Sequence, residues 1–366
     1  MRTAKGLPLA LYGVILLAAP LALAAGCGGR GETTTTPTRS ASASAGPRVT
    51  AVAVITPEKA NDFGWNQQGV EGAKAAAASV GAQCIVQDGA GYGDITPIIS
   101  QLAGNKPQLI FAWASGYNTV APQIAQQVGI PTVIIGAGGD AANVKGLVAD
   151  LETNSQNGSY LAGILAAKMT KTGTVGIVVS AEDENWTKMS GGFIAGARSV
   201  TPKIKILYVQ IGQAGYADAA GGKRVTAGAI AGGADIVFGM GDGSSFGMMQ
   251  ACETAKPPKG AEKVWFIDVI GDKSSLDRKG VYLSSVVWDF TPLDELAIKQ
   301  VEEGTFGTET YWLGTDNGIK LLQTKWIPAD VWTEIETAAE GIADGSIQVP
   351  LTKTGEEVKA YLKAGQ

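Results

Sequence analysis

The chain has 366 residues, with 29 lysines and arginines against 34 aspartates and glutamates and no histidine, which gives a formal net charge of −5. An acidic chain without a basic cluster argues against nucleic acid as a partner. The absence of histidine removes the commonest general base and the commonest metal ligand, and the Cys, Asp and Glu spacings match neither a zinc site nor an EF-hand. We therefore expect no enzyme activity, no metal and no cofactor.

The first 26 residues have the layout of a secretory signal peptide. A basic head at Arg2 and Lys5 is followed by an apolar run over 7–25 and then by small residues. The run is short for a membrane span, which needs about 20 strongly apolar residues. The segment LAAGC that ends in Cys27 resembles a bacterial lipobox, in which the cysteine is acylated after cleavage. We predict a lipoprotein signal peptide over 1–26 and lipidation at Cys27; the alternative is a plain signal peptide with a chance cysteine.

The next segment, 27–48, is composed almost entirely of Gly, Ser, Thr, Pro, Ala and Arg. Such a composition has too little apolar surface to offset the entropy cost of ordering the chain. We therefore expect a flexible tether between the anchor and a folded body, on the outer face of the cytoplasmic membrane.

From Val49 onward, short β-branched runs alternate with alanine-rich stretches of helical pattern. The predicted strands are VTAVAVIT, CIVQD, LIFAWA, TVIIG, TVGIVVS, KILYVQIG, DIVFGM and VWFIDVI, with a last apolar strand at 282–290. Continuous apolar strands between helices are typical of a parallel sheet that is covered on both faces. Because the body exceeds what one core usually organises, we predict an α/β fold of two doubly wound parallel-sheet lobes.

Ligands of doubly wound sheets bind beyond the carboxyl ends of the strands, so the residues that follow each strand are the candidates for a site. Aromatic and polar side chains recur together at these positions. The candidate ligand-binding residues are Asn61, Asp62, Phe63, Trp65, Asn66, Trp113, Ser115, Tyr117, Trp186, Asp242, Asp268, Asp272 and Trp288. A cleft walled by rings and edged by amides and carboxylates suits a flat polar heterocycle or a sugar.

Several of these candidates have a structural alternative. Trp113 and Tyr117 lie in a loop that can face either the cleft or the core. Trp186 follows the acidic run 182–184, which is more typical of a solvated turn than of a metal site. Asp242 fits the role of a cap on the following helix as well as it fits ligand contact.

The segment after the first predicted strand reads Asn61-Asp62-x-x-Trp65-Asn66-Gln67, and it is followed in order by the segments 160–163 with 173–178, 193–196, 215–223 and 233–236. The first is similar to the signature N-D-x-x-F-N-Q of the basic membrane protein family, lipoproteins that bind purine nucleosides for ABC importers. The other segments resemble the same family in the same order. The resemblance covers nearly all of 49–300. It implies a type I periplasmic-binding-protein-like fold, a site between the lobes, permease and ATPase subunits as partners, and a monomer.

The sequence departs from the family near the last strand. Where the family has S-x-x-K, this chain has Ser285-Val-Val-Trp288, so an aromatic ring replaces an ammonium donor. The segment 267–272 is similar to the family's IGVDxDQ, and it leaves open whether Asp268 or Asp272 reaches the ligand. The run 62–66 together with Trp288 is more similar to a branch associated with free purine bases, so we expect a purine base ahead of a nucleoside.

Pattern and resemblance together predict how the chain divides. We expect an N-terminal lobe over 49–151 with part of about 289–325, and a C-terminal lobe over 152–288 with part of about 326–366, joined by a hinge. The predicted function is that of a lipid-anchored solute-binding protein that delivers a purine base or nucleoside to an ABC importer. The alternatives are a ligand-sensing lipoprotein, a two-lobed binding protein for a sugar or other small polar solute, and an extracellular enzyme that uses cleft carboxylates.

Overall fold

A computed structural model describes residues 46–213 and 215–364. The predicted signal peptide, the lipidation site Cys27 and the tether up to residue 45 lie outside the described residues. Across the part of the chain that is described, no helix combines the length and the apolar character needed to cross a membrane.

Twelve strands and ten α-helices make up the described body. The strands are β1 (Ala51–Ile55), β2 (Gln83–Gln87), β3 (Leu109–Ala112), β4 (Thr132–Ile135), β5 (Val148–Thr153), β6 (Thr174–Val179), β7 (Lys205–Gln210), β8 (Ile236–Met240), β9 (Trp265–Ile270), β10 (Tyr282–Trp288), β11 (Tyr311–Leu313) and β12 (Ile319–Leu321). The helices are α1 (Trp65–Ser79), α2 (Thr96–Gly104), α3 (Ala121–Val128), α4 (Ser155–Met169), α5 (Glu184–Val200), α6 (Ala219–Ala231), α7 (Ser244–Thr254), α8 (Thr291–Glu303), α9 (Ala329–Ala343) and α10 (Gly355–Ala364).

The strands form two six-stranded sheets, one in each lobe. The first sheet has the order β2-β1-β3-β4-β5-β11 and is parallel throughout. The second has the order β7-β6-β8-β9-β10-β12, with β12 alone antiparallel. Parallel neighbours need crossover connections, and the intervening helices supply them. The predicted fold class, two doubly wound α/β lobes, is confirmed.

Both faces of the first sheet are buried, which explains why its strands read as continuous apolar runs. In β1, Val52 and Val54 belong to one hydrophobic cluster, while Ala53 and Ile55 belong to another on the opposite face. Successive side chains of a strand point to opposite faces, so a strand covered on both sides needs apolar residues at every position.

The described chain crosses between the lobes three times. It leaves the first sheet after β5, returns after β10 so that α8 packs against α1, and leaves again between β11 and β12. The last crossing therefore lies within 314–318, earlier than the boundary near 325 that we predicted. Of the last two helices, α9 packs on α4 and α10 packs on α5. Cys84 and Cys252 lie in different lobes as free thiols.

Candidate functional site: a cavity between the lobes

A cavity of about 460 Å³ lies between the lobes, at the carboxyl ends of the strands of both sheets. Its lining consists of residues that end a strand or follow one. They are Pro57, Trp65, Tyr92, Ala114, Ser115, Gly116, Ile135, Gly136 and Glu152 from the first lobe, and Glu182, Asp183, Glu184, Asn185, Trp186, Lys188, Tyr216, Asp242, Ile270 and Trp288 from the second. Five of the thirteen predicted site residues are among them, namely Trp65, Ser115, Trp186, Asp242 and Trp288.

Trp65 is fixed in the wall by a reciprocal pair of hydrogen bonds with Trp113. The Trp65 Nε1–H donates to the Trp113 carbonyl at 3.1 Å, and the Trp113 Nε1–H donates to the Trp65 carbonyl at 3.2 Å. The two ring centroids are 5.4 Å apart. Gly69 gives the Trp113 indole its space, because a Cβ there would lie 2.1 Å from Nε1. Trp113 is fully buried and lies outside the lining, so it supports Trp65 instead of facing the cavity.

Asp62 and Asn66 lie outside the cavity lining as well, and their side chains instead form hydrogen bonds at the start of α1. The Asp62 carboxylate accepts hydrogen bonds from the backbone N–H groups of Gly64, Asn66 and Gln67, at 3.0, 3.1 and 3.0 Å. The first turn of a helix leaves its N–H groups without backbone partners, and Asp62 satisfies three of them. The Asn66 amide donates to the same carboxylate at 2.8 Å, and its oxygen accepts from the Glu58 N–H. The similar N-D-x-x-x-N pattern therefore builds the start of α1, which carries Trp65.

Three other candidates from the first lobe lie outside the lining as well. Asn61 is exposed, and Phe63 is half-buried with its backbone at a φ of 50°. Tyr117 is buried, and its hydroxyl donates to the Gly91 carbonyl at 2.7 Å. We predicted ligand contact for all three, but none of them is among the residues that line the cavity.

The start of α5 forms much of the second wall. The Trp186 Nε1–H donates to the Ser180 hydroxyl at 2.9 Å, so its polar group has a protein partner. Asp183 caps the helix by accepting from the Asn185 N–H at 2.9 Å, and it also accepts from the Tyr216 hydroxyl at 3.0 Å. Burial raises the pKa of Asp183 despite these hydrogen bonds. The acidic run that we took for a solvated turn therefore lies in the cavity wall.

A lysine joins the two walls. Lys188 is 5% exposed, and its Nζ lies 2.9 Å from Glu184 of its own helix and 3.5 Å from Glu152 of the first lobe. It is the single cationic side chain among the described residues that line the cavity, against five carboxylates. The cavity wall is therefore strongly acidic.

Asp242 is the most buried carboxylate of the lining, at 5% exposed. Burial raises its pKa well above the ordinary value, with further contributions from the nearby charges of Asp62 and Glu58. Its Oδ1 accepts a long hydrogen bond, 3.4 Å, from the Trp65 N–H across the cleft. The side chain does not cap α7, whose N-cap is Gly243, so the capping alternative is wrong and the cavity position stands.

Neither Asp268 nor Asp272 lines the cavity. Asp268 is completely buried in an ion pair with Lys273 at 2.8 Å, where burial raises its pKa even beside the ammonium group. The Lys273 ammonium also donates to the Phe63 carbonyl of the first lobe at 3.0 Å. Asp272 is exposed and accepts from the Ser274 N–H at 2.8 Å. The segment similar to the family's acidic motif therefore forms a contact between the lobes.

Trp288 is 1% exposed and ends β10 at the cavity. Its ring lies 6.3 Å from that of Trp65 at an interplanar angle of 80°, and 6.1 Å from that of Phe290. Its Nε1–H has no hydrogen-bond partner in the protein. We predicted that the change from lysine removes a donor at this position; the indole N–H keeps one.

Sequence reasoning missed a pair of tyrosines. Tyr92 follows β2 and Tyr216 follows β7, and their rings are stacked with centroids 6.4 Å apart and an interplanar angle of 22°. The pair brings the two lobes into contact beside the cavity. The rule that ligand-facing residues follow strands applies to both, and it would have found them if the loops after the two edge strands had been included.

The fold of two parallel-sheet lobes around a cavity is shared with solved solute-binding proteins of ABC transporters. A solved ABC solute-binding protein from Aeropyrum pernix superimposes with a TM-score of 0.71 over 87% of this chain and 98% of that one, at 18% identity. At that identity the likeness establishes the fold.

Residues 49–353 match the Bmp family model, described as ABC transporter substrate-binding protein, PnrA-like, and the chain belongs to this family. The ABC transporter nucleoside-binding protein BmpA of Lactococcus lactis is 30% identical over 52% of this chain, a match that spans 57% of BmpA. Basic membrane protein D of Borreliella burgdorferi is 22% identical over 82% of this chain and 88% of its own length. The family consists of substrate-binding proteins of ABC transporters, which are not enzymes.

Proposed function

We propose that this protein captures a purine base or nucleoside in the cavity between its lobes, with the base preferred, and delivers it to an ABC importer. The observation that carries the proposal is the lining of the cavity, where the indole of Trp65 offers a flat surface and several carboxylates surround it. Stacking of a nucleobase on an aromatic side chain contributes about 1 to 3 kcal/mol. Carboxylates accept hydrogen bonds from the N–H groups of a base or the hydroxyls of a ribose.

The charge of the lining argues for a ligand without phosphate. Five carboxylates face one lysine, and that lysine is already paired with Glu184 and Glu152. A phosphate group in this cavity would meet like charges at short range, where the low dielectric strengthens the repulsion. The proposed ligand is therefore a base or nucleoside, and a nucleotide is disfavoured.

A relative supports the ligand class. The Lactococcus lactis protein with 30% identity is named a nucleoside-binding protein, and the similar N-D-x-x-W-N-Q segment of this chain builds the wall that carries Trp65. The replacement of lysine by Trp288 supports a preference for the free base, since the apolar ring takes the place where an ammonium group would meet a ribose.

Delivery needs a conformational signal that reports an occupied site. Three chain crossings connect the lobes, which suits a hinge motion about the cleft. Contacts across the cleft, such as that of Lys273 with the Phe63 carbonyl, join the lobes in this structure. We propose that ligand binding favours this form and that the permease recognises it.

Calorimetric titration and thermal unfolding test the ligand assignment. The protein is first unfolded and refolded to remove any carried ligand, and adenine, hypoxanthine, guanine, adenosine, guanosine and ribose are then compared. A ligand that binds only the native state raises its stability by about 2.7 kcal/mol at a hundredfold excess over Kd. We expect large shifts with bases and smaller shifts with nucleosides. A shift with ribose alone would replace the purine assignment with a sugar, and no shift with any purine would end it.

We also propose that Cys27 carries the lipid anchor. Replacing Cys27 with Ser removes the thiol that is acylated, so the protein should move from the membrane fraction to the soluble fraction, and its mass should lose the acyl groups. Replacement of Cys84 with Ser is the matched control and should change neither. An unchanged distribution of the Cys27→Ser variant would favour the plain signal peptide.

A further inference from the structure

Three tryptophans line the cavity, and their indole N–H groups differ in one respect. The Trp65 N–H donates to the Trp113 carbonyl and the Trp186 N–H donates to the Ser180 hydroxyl. The Trp288 N–H has no partner, although the side chain is 1% exposed. Among the described residues of the lining, Trp288 is the one whose buried polar atom lacks a hydrogen bond.

A buried donor without an acceptor is costly, because it has given up its hydrogen bonds to water and gained nothing in return. No acceptor among the described residues lies within hydrogen-bond geometry of this Nε1–H. An acceptor that arrives in the cavity would satisfy the group.

The ring geometry separates the contributions of two of these tryptophans. The Trp65 and Trp288 planes are at 80°, so one flat ligand cannot lie face to face on both. Since the N–H of Trp65 already donates to the protein, Trp65 can contact the ligand only by stacking with the face of its ring. Trp288 can instead donate a hydrogen bond from its unpartnered N–H.

We propose that Trp288 is a specificity-determining residue whose Nε1–H donates a hydrogen bond to a ring nitrogen of the bound purine; this rests on the proposed function. Ring nitrogens with in-plane lone pairs are the acceptors that every purine base presents at its edge. The donor selects the acceptor atom as well as the shape of the ligand, because an analogue with C–H at that position leaves the indole N–H buried and unsatisfied.

The test combines ligands and variants that each remove one partner of this hydrogen bond. Adenine and hypoxanthine are compared by calorimetry with analogues in which one ring nitrogen at a time is replaced by C–H. The proteins are the wild type, Trp288→Phe, which removes the N–H, and Trp312→Phe as the matched control. Trp312 is 47% exposed and lies outside the cavity lining, so its N–H is not expected to meet the ligand.

We expect one analogue to bind the wild type and Trp312→Phe about tenfold more weakly than the parent base, the size of a neutral buried hydrogen bond. The same analogue should bind Trp288→Phe within about twofold of the parent base. Equal losses for all three proteins at every ring position would overturn the role of Trp288. If no purine binds any of them, the proposed function itself fails, so the two failures are distinguishable.

A second measurement keeps the proposal testable if Trp288→Phe folds poorly. The protein has eight tryptophans. In protein labelled with ¹⁵N-tryptophan, the indole N–H signals of the seven others are assigned from their Phe variants, which leaves the signal of Trp288. That signal should then shift downfield and become protected from hydrogen exchange when adenine or hypoxanthine is added. If no indole signal gains protection on saturation with a base that binds, Trp288 does not donate to it.

Discussion

The two walls of the cavity are made of different chemistry. The first lobe presents uncharged groups with a single carboxylate, Glu152, which is near Lys188. The second lobe presents four carboxylates, at 182, 183, 184 and 242. Both walls carry aromatic rings, but only the second adds several charges, which discriminate between the polar edges of flat ligands. We therefore expect the first lobe to contribute mainly the stacking surface of Trp65 and the second lobe to contribute selectivity.

The largest expected effect comes from breaking the contact that holds the walls together. Lys273→Met removes the ammonium that joins Asp268 to the Phe63 carbonyl, and it leaves Asp268 buried without its partner. Loss of one member of a buried ion pair costs about 3 to 5 kcal/mol. We expect a fall of this size in the free energy of unfolding, measured by denaturant titration.

A matched variant separates this contact from lysine loss in general. Lys59 pairs with Asp88 on the surface, where its side chain is 69% exposed. Lys59→Met should lower stability by less than about 1 kcal/mol. If Lys273→Met lowers the free energy of unfolding by no more than Lys59→Met does, the contacts of Lys273 do not hold the two walls together.

The first wall is tested next by removing its flat surface. Trp65→Ala should weaken the binding of purine bases by about 10- to 100-fold, as expected for the loss of one stacking partner. Trp312 is 47% exposed on β11 and lies outside the cavity lining, so Trp312→Ala is the control. Calorimetry with adenine or hypoxanthine measures both. Comparable affinities for the two variants would remove the first wall from ligand contact.

The second wall is tested through its most buried carboxylate. Asp242→Asn should bind purine bases up to about tenfold more weakly, because it exchanges a carboxyl oxygen for an amide NH₂ group and an ordinary hydrogen bond contributes about 0.5 to 1.5 kcal/mol. The free protein should become more stable at pH 7, since the raised pKa of Asp242 shows that its charged form is disfavoured in the fold. Asp272→Asn, at an exposed carboxylate, should change neither property. A more weakly binding variant with no gain in stability would contradict this account of Asp242.

The smallest effect on binding is expected for a carboxylate away from the cavity. Asp294 of α8 is buried in the first lobe, both oxygens lack partners, and burial raises its pKa well above the ordinary value. A raised carboxyl pKa means that the fold is most stable at low pH and loses stability as pH rises above about 4 toward the folded pKa. Asp294→Asn should therefore gain stability over the wild type between pH 4 and pH 7, with unchanged affinity. An altered affinity would show that charge anywhere in the lobe affects the site.

Sequence reasoning predicted the fold well because the strands of a covered parallel sheet are apolar at every position, a pattern that is easy to recognise. Runs such as Val52 to Ile55 are apolar at every position, and the order of strands and helices follows from them. The short strand β12 was beyond such reasoning, since three residues carry no periodicity and its place depends on the pairing with β10.

The site was predicted less completely, and the reasons are physical. The rule of strand ends found Trp65, Asp242 and Trp288, because it concerns where a loop begins. It could not distinguish Trp65 from Trp113. Both follow a strand and they bond to each other, and only the direction of each indole decides which one lines the cavity. It also could not show that Asp62 uses its carboxylate on backbone N–H groups.

A crystal structure of the protein with adenine or hypoxanthine tests the central claim most directly. The account predicts the base between the lobes, parallel to the Trp65 ring, with one ring nitrogen within hydrogen-bond distance of the Trp288 Nε1 and its N–H groups directed at carboxylates of the second lobe. A base bound outside the cavity, or one that contacts only the second lobe, would contradict the assignment of surface and selectivity to the two walls.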